Sequence, residues 1–336
     1  MELTVKINFC ILILYKFDET ENALQKGGRR VMRKIQLGVS NLMVPPVAVG
    51  CMRLNKLTPQ EAEHFIHTAL HCGANFFDHA DIYGGGDCER MFADAIHMNS
   101  NIREKIILQS KCGIRRGYFD FSKGHILNAV DGILQRLRTD YLDVLLLHRP
   151  DALVEPEEVA EAFNILHDTG KVRFFGVSNQ KPMQIQLLAK YLEQPLVANQ
   201  LQFSIAHANM VTNGINVNMT TESSFDHDGS VLDFCRLHNI TIQAWSPFQY
   251  GFFEGVFLDN ENFPELNATL NRLAEKYEVT NTTIAAAWIL RHPAKIQMVT
   301  GTMNPDRLVD CLHAANIMLT REEWYEIYRS AGNIVP

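Results

Sequence analysis

Positive charge is in deficit: 31 Lys and Arg face 38 Asp and Glu, a formal charge of −7. No extended run of Lys and Arg offsets this, and phosphate-backbone binding needs clustered cations, so a nucleic-acid partner is not expected. Paired cysteines are also missing. The seven cysteines (Cys10, Cys51, Cys72, Cys88, Cys112, Cys235, Cys311) are scattered and odd in number. None forms a Cys-x-x-Cys pair, which argues against a zinc ribbon and against a disulfide framework. The expectation is small buried hydrophobes in a reducing, cytoplasmic compartment. Long apolar runs are absent too. INFCILILY (7–15) is far too short to span a bilayer, and with only Lys6 close before it and no small-x-small site after it, it makes a poor secretory signal. No membrane partner is expected. Finally, no Gly-x-Gly-x-x-Gly opens the first helical segment, so a Rossmann fingerprint is lacking.

The peptide KGGRRVM (26–32) is what a purine-rich bacterial ribosome-binding site would encode if it were translated in frame. Residues 1–31 are therefore expected to be a non-native or mis-called extension, with 32–336 forming one domain. Within that domain, short apolar runs alternate with longer amphipathic ones. VAVG (47–50), NFFDHA (75–80), KIILQSK (105–111), LDVLLLH (142–148), VRFFGVS (172–178), LVANQL (196–201), TIQAWS (241–246) and IQMVTG (296–301) read as strands buried on both faces. Helical patterns lie between them. The segment 58–73 begins with Thr58 as N-cap, Pro59 in the first turn and Glu61 at the capping-box position, and it stops at Gly73. Eight βα repeats without a break in composition predict a (β/α)8 TIM barrel, ahead of an open doubly wound sheet. Residues 202–228 read as a long polar loop over the active face.

Barrels do their chemistry at the C-terminal ends of strands. The polar residues there are Asp78 and Tyr83 after the second strand, Lys111 after the third, and His148 after the fourth. Ser178 and Asn179 end the fifth, Gln200 lies in the sixth, and Trp245 and Ser246 end the seventh. His79 and Asp81, beside Asp78, invite a metal reading. Strand alternation points His79 away from Asp78, however, and no second ligand cluster accompanies them, so no metal is expected. Gly84–Gly86 lacks the Lys-Ser/Thr of a phosphate loop and reads as a turn.

FFDHADIYGGG, QSKCG, LLLHRPD, GVSN and AWSP resemble the signatures of the aldo/keto reductase family, and the first resembles a bacterial oxidoreductase branch of it. The resemblance spans Lys34 to Pro336. It implies a barrel that binds NADPH without a Rossmann motif, with NADH as the alternative, and that reduces aldehydes or ketones to alcohols. A cofactor-binding redox sensor with little turnover is the rival reading. By the resemblance Tyr83 is the proton donor, Lys111 lowers the phenol pKa, Asp78 pairs with the lysine, and His148 polarises the substrate oxygen. Ser178, Asn179 and Gln200 match nicotinamide contacts, and Trp245 matches the ring-stacking aromatic. Ser246, Pro247 and Phe248 match the pyrophosphate strip, while Gly301, Thr302 and Arg307 match the adenosine end. The family's frequent phosphate-binding Lys is absent at Gly301–Thr302. Phe252, Phe253 and Trp324 read equally as pocket walls or as core packing.

Overall fold

A computed structural model describes residues 33–336 of the chain. Two units are distinguished, Met1–Arg33 and Lys34–Pro336, and everything below concerns the second. The extension expected at residues 1–31 lies outside the described residues.

Eight parallel strands close into a barrel in chain order. They are β1 (Val47–Gly50), β2 (Phe76–Asp78), β3 (Ile107–Cys112), β4 (Leu142–Leu147), β5 (Val172–Ser178), β6 (Leu196–Gln202), β7 (Thr241–Trp245) and β8 (Gln297–Thr300). Each coincides with one of the predicted runs. β1, β3 and β4 are buried at every position, because helices cover the outer face of a parallel barrel and side chains fill its inside.

Pro59–His71 shows how local sequence sets a helix. The Thr58 hydroxyl accepts from the Glu61 amide, and the Glu61 carboxylate accepts from the Thr58 amide at 2.8 Å. Ala62, Phe65, Ile66 and Ala69 then form the one buried face, at the 3–4-residue spacing of an α-helix. A short hairpin, Ile35–Gln36 with Met43–Val44, precedes the barrel. Its Leu37 and Val44 join the core with Ala48, Phe76, Val144 and Val197. Gly38 turns there at φ +55°, where a Cβ would collide with the Val197 backbone, and its amide donates to Thr241 Oγ1 at 2.7 Å.

The segment 202–228 departs from the expected loop. It contains a helix (Asn209–Ile215) and a 3-10 turn (Glu222–Ser224). Phe203, Ile205 and Asn216 are fully buried. Tyr328 Oη donates to Thr212 Oγ1 at 2.9 Å, and Asn216 Nδ2 donates to the Ile334 carbonyl at 3.0 Å, so the segment is fastened to the C-terminal stretch. Its sparse apolar residues, diluted among Asn, Thr and Ser, hide the anchors in sequence. Asp87–Ala95, between β2 and β3, and Arg321–Ser330, after β8, are also helical.

Candidate active site

The C-terminal strand ends frame a cavity of about 660 Å³. Asp78, Tyr83, His148, Ser178, Asn179, Gln200, Trp245, Ser246, Pro247, Phe248, Gly301, Thr302 and Arg307 all line it. Lys111 does not, because it lies fully buried behind Asp78 and Tyr83.

Register explains the cluster. Asp78 on β2 sits opposite Gln109 on β3, which puts Lys111 two residues further toward the open end, on the same inward face. The Lys111 ammonium donates to Asp78 Oδ2 at 2.7 Å, to the His79 carbonyl at 2.8 Å and to Tyr83 Oη at 3.1 Å. Three acceptors satisfy all three ammonium protons. Burial opposes the charge, yet Asp78 and Tyr83 outweigh it, and the lysine pKa stands above its ordinary value. Tyr83 reaches this point through a tight turn in which Gly84, Gly85 and Gly86 take φ of 57°, 65° and 95°. Residues with a Cβ rarely adopt these angles.

The phenol departs from expectation. Burial raises the Tyr83 pKa; Lys111 pulls it down, Asp78 partly cancels that pull, and the net position is above the usual tyrosine value. The phenol therefore stays protonated at neutral pH and has a proton to give. The His148 ring meets Tyr83 edge-on with centroids 5.9 Å apart. Burial, followed by Lys111 and Arg149, holds its pKa well below the histidine range, so the ring is a neutral imidazole.

Sequence reasoning passed over a chain of buried amides beneath the cluster. Asp78 Oδ1 accepts from Gln109 Nε2 at 2.6 Å and from Gln200 Nε2 at 3.1 Å. Gln243 Oε1 accepts from the same two amides at 2.9 and 3.2 Å. Gln243 Nε2 then donates to Gln297 Oε1 at 2.8 Å, and Gln297 Nε2 donates to the Pro45 carbonyl at 2.9 Å. The catalytic-end carboxylate is thus tied to the segment preceding β1. A Gln inside each of four apolar strands was the available signal, since an unneeded amide is costly there.

The nicotinamide-matching residues also form one chain. Trp245 Nε1 donates to Asn179 Oδ1 at 3.2 Å, Asn179 Nδ2 to Ser178 Oγ at 2.7 Å, and Ser178 Oγ to the Gln200 carbonyl at 3.0 Å. Asn179 and Ser246 hold left-handed φ of 57° and 50°, which turns both strand ends over the cavity. At β8, Arg53 lines the cavity and donates to the Gly301 carbonyl at 2.9 Å. Arg53 lies just past the end of β1, where strand-end reasoning applied there would have found it. A cation from another loop thus stands where the family's lysine is missing.

The remaining candidates are committed elsewhere. Asp81 pairs with Arg115 at 2.6 Å. His79 packs edge-on against Phe92 at 4.7 Å, and burial followed by Lys111 brings its pKa to about 3. Among the described residues no three His, Cys, Asp or Glu side chains group in a way that could hold a metal. Phe252 and Phe253 line the cavity. Trp324 does not; it stacks on Trp288 at 4.8 Å, and each indole donates to the other's carbonyl. Cys112 is buried, and burial pushes its thiol above the usual range. Among the described residues no helix is long and apolar enough to cross a membrane.

The sequence model of the aldo/keto reductase family matches residues 46–331. An uncharacterized oxidoreductase of Bacillus subtilis, YcsN, is 35% identical over 311 residues, 88% of this chain and 97% of the relative. A 6-dehydroglucose reductase of Agrobacterium fabrum is 32% identical over 314 residues, 89% of this chain and 98% of the relative. The solved aldo-keto reductase of Klebsiella pneumoniae, crystallised with NADPH, superposes with a TM-score of 0.70 at 23% identity, covering 89% of this chain and 95% of that one.

Proposed function

The chain belongs to the aldo/keto reductase family, and on that footing we propose that it reduces aldehydes or ketones to alcohols with NADPH, Tyr83 giving the proton. The observation that carries this is one buried ammonium, Lys111, bonded at once to Asp78 and to the Tyr83 hydroxyl at the cavity wall. The cavity's donor set fits a nicotinamide dinucleotide. Asn179 and Gln200 offer side-chain amides to a carboxamide, Trp245 offers an aromatic face, and Arg53 and Arg307 offer cations to phosphate. NADPH bound there supplies the hydride.

The chain's own residues do the rest. As a carbonyl becomes an alkoxide, Tyr83 hands it the phenolic proton, and the Lys111 ammonium stabilises the phenolate left behind. Asp78 keeps that ammonium charged and aimed. Neutral His148 stands beside Tyr83 to hydrogen-bond the carbonyl oxygen and fix its approach. The 2′-phosphate preference is assigned to Arg307 and Arg53 together, and the compartment is proposed to be the cytoplasm. The cofactor-sensing alternative is not favoured, because a sensor has no need of a complete proton-delivery set.

Replacing Tyr83 by Phe removes the proton and keeps the ring. Carbonyl reduction should fall by 10²-fold or more, the scale of a lost general acid, with NADPH affinity by fluorescence titration within about twofold. Undiminished turnover by this variant across aldehydes and ketones would overturn the assignment.

A further inference from the structure

A second cavity of about 720 Å³ opens beside the first, and the two share Arg149, Asn179, Trp245 and Phe252 in their walls. Arg149 is the charged residue at the junction. Its guanidinium lies 5.7 Å from the Trp245 ring centre and 5.6 Å from that of Phe252. Those rings hold the fork in place without neutralising it. Among the described residues Arg149 has no hydrogen-bond or ion-pair partner.

The carboxylates lining the two cavities already have partners. Asp78 takes Lys111, Gln109 and Gln200, and Asp259 takes Asn281 at 2.8 Å. Glu222 stands 3.2 Å from His227. Asp228 takes the Val231 amide at 3.2 Å and Asn213 at 3.4 Å. A half-buried cation without a counter-charge has lost part of its hydration, and an anion that enters would offset that loss. The cofactor's phosphates are poor candidates for that anion. Arg149 follows β4, which lies across the closed barrel from β8, where Gly301, Thr302 and Arg307 are. It stands instead at the chemical end, in the same cavity wall as Tyr83 and next in sequence to His148, whose pKa it helps to depress.

We propose that Arg149 is an anion-recognition residue, and that the preferred substrates are carbonyl compounds bearing a carboxylate or phosphate group held by its guanidinium at the mouth of the second cavity. The inference rests on the reductase reading and adds the substrate class to it. The planar fork suits the paired oxygens of either group, which a lysine meets only as a point charge.

NADPH oxidation by the full chain is compared for 4-carboxybenzaldehyde against 4-methylbenzaldehyde, and for glyceraldehyde 3-phosphate against glyceraldehyde. Wild type should favour the anionic member of at least one pair by tenfold or more in kcat/KM, chiefly through KM, and the pair favoured identifies the group. Arg149→Met should bring that ratio near one, with Arg149→Lys between. Equal use of both members by wild type overturns the proposal, as does an equal loss of both in Arg149→Met. So does weakened NADPH binding in that variant, which would give the residue to the cofactor. Absence of turnover with all four aldehydes counts against the reductase reading. Benzoate binding then decides for Arg149 by tryptophan fluorescence: tighter than benzamide and lost in Arg149→Met upholds it, and anything else rejects it.

Discussion

At the scale of single residues, the site is a problem in burying charge. Lys111 is fully buried and Asp78 2% exposed, and a pair so enclosed is stable only if its remaining protons and lone pairs are met. His79 contributes its carbonyl, Tyr83 its hydroxyl, and Gln109 and Gln200 their amides. Gln243 fixes the two amides in turn. Gln243→Leu keeps the volume but strips acceptors from Gln109 and Gln200 and a donor from Gln297. We expect a loss of about 1–3 kcal/mol in urea unfolding, the cost of leaving buried polar groups unpaired. Because Asp78 then loosens, kcat should drop on the order of tenfold, equivalent to about 1.4 kcal/mol in the barrier. A variant that loses stability but keeps wild-type kcat would make the chain purely structural.

At the scale of elements, the turn after β2 decides where the phenol sits. Three successive left-handed residues bring Tyr83 back over Lys111. At Gly84 a Cβ would also press on the Asn55 side chain, whereas at Gly85 it would meet nothing. Gly84→Ala therefore combines about 1–2 kcal/mol of backbone strain with a collision, and Gly85→Ala carries the strain alone. Both should melt within a few degrees of wild type, but Gly84→Ala should lose several-fold more kcat. Equal activity in the two would show that the turn does not set the phenol's position.

At the scale of the whole molecule, burial of neutral histidines sets acid sensitivity. Burial brings His79 to about 3 and His292 to about 4, and it holds His148 well below its ordinary range. The unfolded chain protonates these groups near pH 6.5, but the folded chain does not until far lower. Below pH 6.5 the unfolded state binds more protons, so stability falls with acid by about 1.4 kcal/mol per pH unit for each histidine, until its folded pKa is reached. Neither ring nitrogen of His79 has a partner. His79→Leu should therefore be neutral or stabilising at pH 7, and it should shrink the difference between urea midpoints at pH 7 and pH 5. An unchanged difference would place the acid sensitivity in other groups.

Strand existence and order were legible in the chain because buried parallel strands are continuous apolar runs, and Val, Ile, Leu and Phe leave that mark locally. The strand-end residues were legible for the same reason: a Lys or His closing such a run contradicts its surroundings. Three features needed the closed barrel. Gln109, Gln200, Gln243 and Gln297 become one network only when β3 faces β7 across the interior. Trp324 goes to the core rather than the pocket because Trp288 is there to receive it. Arg53 meets Gly301 only because β1 and β8 are neighbours, 248 residues apart in sequence. Local pattern fixes which segments are buried, since hydrophobicity belongs to the residue. Partnership between distant polar groups belongs to the pair, and only the folded chain brings the pair within hydrogen-bond reach.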